Sequence, residues 1–504
     1  MNAVQLLFDT AERLPHKAAM VDEDHSMTYS ELRDEIWSLA NGLKNQGVHE
    51  NTHVSLLLGN GPEYVVSYFA LLTLGATVVP LNPQYKEKEL TYALNDSESY
   101  GLIYDHRFED VVNRAEGDLT STELLIGFKG RKNHGCEWTK LLNDHSEMKP
   151  VDRKKEDTAQ IIYTSGTTGK PKGAMITHNN IIWMTKAMTD VQGTNEHDRV
   201  MVSLPLFHAY AKMAGLWCSY YQGATVYFVP FHPDTVLERI EREKITIFHG
   251  VPTMFTMFIH SAKLKEFDYR SLRIFGSGGA SIPLEVVHRI KREMDVEIME
   301  GYGQTEATIM LASQRMDTDK VPGSVGPPVD GIDLRIVDHQ GKEVSPGDVG
   351  EIIFCGQNAM KGYYNKPQET ENTIQNGWVY TGDLGYQDAD KNVYIVDRKK
   401  DMIIRGGYNV YPREIEEVLY THPDVIECAV IGEAHEVFGE EIVAYVVVRN
   451  DLDEKELAAY CERNLAKYKN PRVYRLLESL PKTVTGKILK GPLKKYQPAK
   501  IKKD

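Results

Sequence analysis

The segment YTSGTTGKPKG, residues 163–173, crowds glycines, small hydroxyl side chains and two lysines into eleven positions. Backbone N–H groups, hydroxyls and ammonium groups are the donors that hold a polyphosphate. A Walker loop is ruled out, because it needs four residues between its glycines and a hydroxyl after the lysine. Here two residues separate Gly166 from Gly169, and Pro171 follows Lys170 where the helix of such a loop would begin. Further candidates are Thr305 and Glu306 in GYGQTE, Asp383 in YTGDLG, Lys487 in TGKILK and His208 in PLFHAY. Each alone has a plainer reading. A Gly/Ser/Thr/Lys loop is a surface turn, an Asp beside Gly is turn chemistry, and a lysine in a basic tail is a solvated charge. FGSGG, residues 275–279, is no nucleophile elbow, since Phe275 occupies the first glycine position of G-x-S-x-G.

These residues need a scaffold, and the hydrophobic pattern predicts one. HVSLLL, the apolar stretch YVVSYFALLTLG and ATVVPL read as strand, helix, strand. The alternation returns through VMVSLP, a helical stretch from about Ala209, ATVYFV, ITIFHG, LRIFGSGG and VEIMEGYG. Parallel sheets with helices on both faces follow, with ligands at the carboxyl ends of strands, which directs attention to the loops after LRIFGSGG and VEIMEGYG. From about residue 320, IDLRIVD, GEIIFC and NVYIVD are separated by Gly and Pro turns, as in a small antiparallel β unit. A compact mixed α+β segment begins after YIVDRKKD. From Arg398 onward there are 20 Lys/Arg against 17 Asp/Glu, whereas the preceding residues carry a net −17. The boundary is therefore expected between 1–397 and 398–504.

Composition sets limits. With 41% hydrophobic and 26% charged residues the chain is ordinary globular material, and a net charge of −14 opposes nucleic acid as a partner. Five widely spaced cysteines make neither a metal pair nor an even disulfide set, which suggests a reducing, cytoplasmic home. No leader pattern is recognised at the start. Residues 64–85 carry no formal charge and are long enough to span a bilayer, but Gly75, Pro80, Asn82 and Pro83 interrupt them, so no integral membrane segment is expected.

YTSGTTGKPKG, PLFHAY, GYGQTE, YTGD, DRKKD and PKTVTGKILK occur in the order and approximate spacing of the adenylate-forming superfamily, and the chain resembles it over essentially its whole length. That superfamily contains acyl-CoA synthetases, aryl-CoA ligases, luciferases and peptide-synthetase adenylation domains; the motifs are closest to fatty acyl-CoA synthetases. The resemblance implies an α/β fold: a large N-terminal domain of parallel α/β sheets plus a small β-barrel-like unit, then a small mobile α+β C-terminal domain. It also implies roles. Thr164, Ser165, Gly166, Thr167, Thr168, Gly169 and Lys172 would cradle the β- and γ-phosphates of ATP, and Thr305 would contact the α-phosphate. Glu306 would hold Mg²⁺. Tyr302 would stack on adenine beside Gly278, Gly279 and Ala280; Asp383, with Arg398, would bind the ribose hydroxyls. Lys487 would bridge the acid carboxylate and the α-phosphate. Rotation about Lys400 would then withdraw it and bring Gly406 and Gly407 to a coenzyme A channel gated by His208.

The expected activity is ATP-dependent ligation of a carboxylic acid to coenzyme A through an acyl-adenylate, with a medium- or long-chain fatty acid as substrate. Alternatives are an aryl-CoA ligase, an enzyme loading a carrier protein's phosphopantetheine arm, and a nucleotide-binding protein without ligase turnover. Residues 209–219, FHGVPTMF and EATIMLAS are the implied acyl pocket. LFHAYAKMAG offers no aspartate for an α-amino group, which disfavours amino acid substrates. Lys212 departs from the apolar pattern; it is expected to snorkel to solvent, the alternative being a pair with a distal carboxylate. Expected partners are the acid, ATP and coenzyme A, and a homodimer is left open.

Overall fold

The computed structural model describes residues 1–23, 25–129, 136–164, 170–450, 452–483 and 486–495. The apolar runs become buried strands of two eight-stranded sheets. In the first, Thr158–Thr164, Thr77–Pro80, His53–Leu57, Gly101–Asp105 and Leu124–Phe128 lie side by side and parallel. In the second, Ile298–Tyr302, Ile274–Ser277, Ile247–Gly250, Arg199–Val202 and Thr225–Phe228 do the same. Strands covered on both faces can be apolar throughout, and one hydrophobic core runs through both sheets.

The bilayer-length stretch is the buried helix Pro62–Thr73 followed by the strand Thr77–Pro80. Among the described residues no helix is long and apolar enough to cross a membrane. The helix His178–Gln192 starts at Thr177, whose side chain caps Asn180 N, and stops at Gly193 in the left-handed region. The helical stretch expected from Ala209 is a π-helical turn, Ala211–Trp217, continued by Cys218–Gln222. The antiparallel unit is also present: Ile332–Val337, Gly350–Gly356, Trp378–Gln387 and Val393–Arg398 pair in sequence. Beyond Arg398, the strands Ile403–Arg405, Val425–His435, Gly439–Val448 and Val473–Leu476 form a sheet of their own. It is covered by the helices Pro412–Tyr420 and Glu454–Asn464, around cores separate from the large one.

Where the helix of a nucleotide loop would follow Pro171, the chain instead forms a strand. Thr158–Thr164 and Lys172–Thr177 are antiparallel, with Thr164 opposite Lys172. Ser165, Gly166, Thr167, Thr168 and Gly169 lie outside the described residues.

Candidate active site

A cavity of about 1270 Å³ lies where the carboxyl ends of the second sheet, the mouth of the Thr164–Lys172 hairpin, the antiparallel unit and the C-terminal domain meet. Thr164, Lys172, His208, Gly278, Gly279, Ala280, Tyr302, Thr305, Glu306, Asp383, Arg398, Lys400 and Lys487 all line it. Gly406 and Gly407 do not; they are exposed, with φ of 57° and 85°.

Asp383 sits on the strand Trp378–Gln387 directly opposite Arg398, whose Nε is 3.5 Å from Oδ1. The Tyr302 hydroxyl donates to Asp383 Oδ2 at 2.8 Å. Only 7% of Asp383 is exposed, and burial raises its carboxyl pKa against the opposing pull of Arg398, Tyr302, Lys487 and Lys400. The result is a carboxylate withheld from bulk water with acceptor capacity to spare, suited to sugar hydroxyls.

Thr305 and Glu306 follow the strand Ile298–Tyr302 in a single 3₁₀ turn, Thr305–Ala307. Thr308 and Ile309 then adopt φ of 48° and 85°, a conformation that costs energy in a β-branched residue. Buried Asn358 holds them: its backbone carbonyl accepts from Thr308 Oγ1 at 2.8 Å, and its side-chain amide donates to Ala307 O and Met310 O. Glu306 Oε1 accepts from the Tyr363 hydroxyl at 2.8 Å and lies 3.5 Å from Thr164 Oγ1. One carboxylate with free lone pairs fits a magnesium ion that takes its remaining ligands from phosphate and water. Among the described residues no cluster of three or more His, Cys, Asp or Glu could hold a metal by itself. Lys172 is already paired with Glu369 at 2.8 Å and lies over the Tyr363 ring.

Lys487 reaches the cavity from the C-terminal domain. Thr483 N donates to Lys487 O at 2.8 Å, and Lys487 N donates back to Thr483 Oγ1 at 3.0 Å. Gly486, just before it, has a φ of 83°, and a Cβ there would fall 2.5 Å from Thr253 Oγ1. The lysine stem crosses Gly279, whose absent Cβ would be 3.2 Å from Lys487 Cε. Burial and the Arg398 guanidinium pull its ammonium down to about 8, while Asp383 pulls upward. The C-terminal domain is held in this position by Glu417, which accepts from Leu284 N at 3.2 Å, and by Arg413, whose backbone N–H donates to Asp397 at 3.0 Å. Beside them Glu300, 5% exposed, is pushed up to about 7 by burial.

A profile of the AMP-binding enzyme family matches residues 7–364, and a profile of its C-terminal domain matches residues 414–487. The chain belongs to the AMP-binding enzyme family. Members similar to it include a long-chain-fatty-acid–CoA ligase of Bacillus subtilis (strain 168), 34% identical, with 97% of this chain and 93% of that protein covered. A feruloyl-CoA synthase of Amycolatopsis is 36% identical, with 96% and 97% covered. The crystal structure of the anthranilate CoA ligase AuaEII in complex with anthranoyl-AMP superposes with a TM-score of 0.94 at 30% identity, covering 98% of this chain and 97% of that one. The expectations of an adenylate-forming enzyme and of its α/β architecture are thereby borne out.

His208 is half-buried at the cavity wall, and burial with the charge of Lys487 pulls its imidazole down to about 3, so it is neutral at physiological pH. Lys212 corrects an expectation. It does not snorkel: its exposure is 0%, its Nζ lies 5.3 Å from the centre of the Tyr68 ring and finds no hydrogen-bond partner among the described residues, and it does not line the cavity. The stem is too far inside the packed π-helical turn for the amine to reach water. Tyr363, Glu369 and Asn358 are site residues that the sequence did not single out. Only Tyr363 carried a signal, as the first of two adjacent tyrosines in KGYYNK, and it ends up in a short edge strand beside Lys172–Thr177.

Proposed function

We propose that this enzyme activates a carboxylic acid as its acyl-adenylate and passes the acyl group to coenzyme A. The observation that carries the reading is the placement of Lys487, from the C-terminal domain, across Gly279 and within the electrostatic reach of Asp383. A cavity of about 1270 Å³ exceeds the roughly 300–1,000 Å³ of a site for one small molecule and leaves room for nucleotide and acid together. In the first step an acid oxygen bonds to the α-phosphorus of ATP and the bond to the β-phosphate oxygen breaks, releasing pyrophosphate. In the second, the thiol sulfur attacks the acyl carbon, its proton passes to solvent, and AMP leaves with the electron pair of the broken C–O bond.

The assignments of residues follow the same reading. Asp383 and Arg398 orient the ribose, Tyr302 and the Gly278–Gly279–Ala280 backbone flank the base, and Thr164, Lys172 and Thr305 meet phosphate oxygens. Lys487 steadies the charge that develops between carboxylate and α-phosphate. Mg²⁺ on Glu306 would neutralise the departing pyrophosphate. The boundary is placed at 397/398, and Lys400 is the pivot that exchanges Lys487 for Gly406 and Gly407. Neutral His208 serves as a gate between acid and thiol. Met188, Met299 and Met310 in the cavity lining suit an apolar tail, and we read a medium- or long-chain fatty acid as the first choice. An aryl acid is the second, favoured by the Tyr210–His249 pair in the same lining. The test is AMP formation with ATP, Mg²⁺ and coenzyme A across acids from acetate to palmitate, benzoates and cinnamates. Acid-dependent AMP release that requires free coenzyme A is expected; AMP release that is independent of added acid would overturn the reading.

A further inference from the structure

One short segment holds both charged side chains that the proposed reaction sets against the leaving pyrophosphate. The strand Gly362–Tyr363 runs antiparallel along Ala174 and Met175, and Tyr364 N donates to Gly173 O at 2.8 Å. The helical turn Pro367–Thr373 packs back on it: Thr370 Oγ1 accepts from Tyr363 N at 2.9 Å, and a Cβ on Gly362 would fall 2.8 Å from Thr370 Cγ2. From this segment the Tyr363 hydroxyl donates to Glu306 Oε1 at 2.8 Å, and Glu369 Oε2 lies 2.8 Å from Lys172 Nζ. The Lys172 ammonium also sits 4.6 Å from the centre of the Tyr363 ring.

Tyr363 steadies a carboxylate that is to receive a cation. Glu369 works in the other sense, because it gives an anion to the lysine that is to meet phosphate. Thr164, Lys172, Glu306 and Tyr363 line the cavity and Glu369 does not. The pair is partly buried, with 11% of the Lys172 side chain and 33% of the Glu369 side chain exposed, so water screens it incompletely. An ammonium has three donors, and Glu369 occupies one of them. A phosphate oxygen held by another at about 2.8 Å stands about 5 Å from the Glu369 carboxylate. That is inside the Debye length of about 8 Å at physiological ionic strength, so the two anions repel. Adenylation adds to the repulsion: when the bond from the α-phosphorus to the bridging oxygen breaks, that oxygen leaves on pyrophosphate with the electron pair and a new negative charge. The Glu369 charge therefore weighs more on pyrophosphate than on ATP.

We infer that Glu369 is a positioning residue that acts through Lys172 to weaken the hold on pyrophosphate, so that this product departs once it has formed. The inference rests on the acid-activating reading above and adds a residue to it. The test measures pyrophosphate binding by titration calorimetry and pyrophosphate inhibition of acid-dependent AMP formation, beside KM for ATP. Glu369→Gln is expected to tighten pyrophosphate about threefold to fivefold, the scale of a partly exposed ion pair, and to lower KM for ATP by less. The gain should shrink as salt is raised from about 50 mM to about 500 mM. A residue that only orients Lys172 gives a different pattern: glutamine still accepts from the ammonium and would leave pyrophosphate binding unchanged, and Glu369→Ala would weaken it. Glu369→Ala is expected instead to tighten pyrophosphate as Glu369→Gln does; the milder Glu369→Gln decides the matter if Glu369→Ala does not fold. In a Lys172→Met background, Glu369→Gln should have no further effect. Unchanged or weaker pyrophosphate binding in Glu369→Gln, or tightening that persists without Lys172, would overturn the inference while leaving the ligase reading standing. No acid-dependent AMP formation by the wild type would overturn both.

Discussion

At the junction of the two domains, burial and the Arg398 guanidinium draw Lys487 down to about 8 while Asp383 holds it up. In the turn Ala211–Trp217, burial alone draws Lys212 far below its ordinary range, and no acid opposes it. Both lysines have lost water. Lys487 keeps a proton it can carry at physiological pH because a carboxylate shares its cavity. Lys212 has only burial acting on its amine, at the end of a hydrocarbon stem lodged against an aromatic ring. The difference shows that burial does not by itself make a lysine functional. What matters is whether the surroundings leave its charge available where an anion arrives.

The sharpest way to break this contrast is to remove each ammonium in turn. Lys487→Ala should lower acid-dependent pyrophosphate release by about a hundredfold to a thousandfold, the scale for loss of one charge-stabilising donor. Thioester formation from supplied acyl-adenylate should survive, and equal loss of both half-reactions would show that the lysine has no special place in the first. Gly486→Ala should act on the same step from the backbone, because a φ of 83° disfavours a side chain and its Cβ would sit 2.5 Å from Thr253 Oγ1. A drop of about tenfold in pyrophosphate release is expected.

A smaller effect sharpens the electrostatic half of the comparison. Lys487 is charged below about pH 8 and neutral above it. Adenylation kcat/KM, which reports the free enzyme, should therefore fall as pH rises through that value. Lys487→Arg, whatever its absolute rate, should lose the descending limb.

The sequence made the site legible because its chemistry is concentrated in short segments at the ends of predicted strands. Thr305 and Glu306 follow Ile298–Tyr302, Asp383 lies within Trp378–Gln387, and the structure brings all three to one cavity. Lys487 was legible as a motif, but its contact with Gly279 depends on how two domains dock, which no local pattern contains. The residues that restrain the site were hidden for a related reason. Asn358 supports the turn after Glu306 from about fifty positions away, and Glu369 reaches Lys172 across a strand pairing between Gly362–Tyr363 and Lys172–Thr177. Lys212 was misread because a snorkelling stem needs an exit to water, and whether one exists is a property of packing.

Lys212 supplies the last test, on stability. Its amine is unpartnered among the described residues and burial draws its pKa down in the fold, whereas in the unfolded chain it is charged below about pH 10. Between the lowered folded pKa and the unfolded one the unfolded state binds more protons, so stability should rise with pH by up to about 1.4 kcal/mol per unit from this group alone and level off above its unfolded pKa. Lys212→Met keeps the stem, fills similar volume and removes the proton from both sides of the equilibrium. Thermal unfolding at pH 7 should then show a midpoint higher by a few degrees, about 2–4 °C per kcal/mol for a large domain. The gap between variant and wild type should narrow as pH approaches 10. A midpoint that falls, with a gap that ignores pH, would mean that Lys212 is charged in the folded protein and matched there, which would erase the distinction between the two lysines.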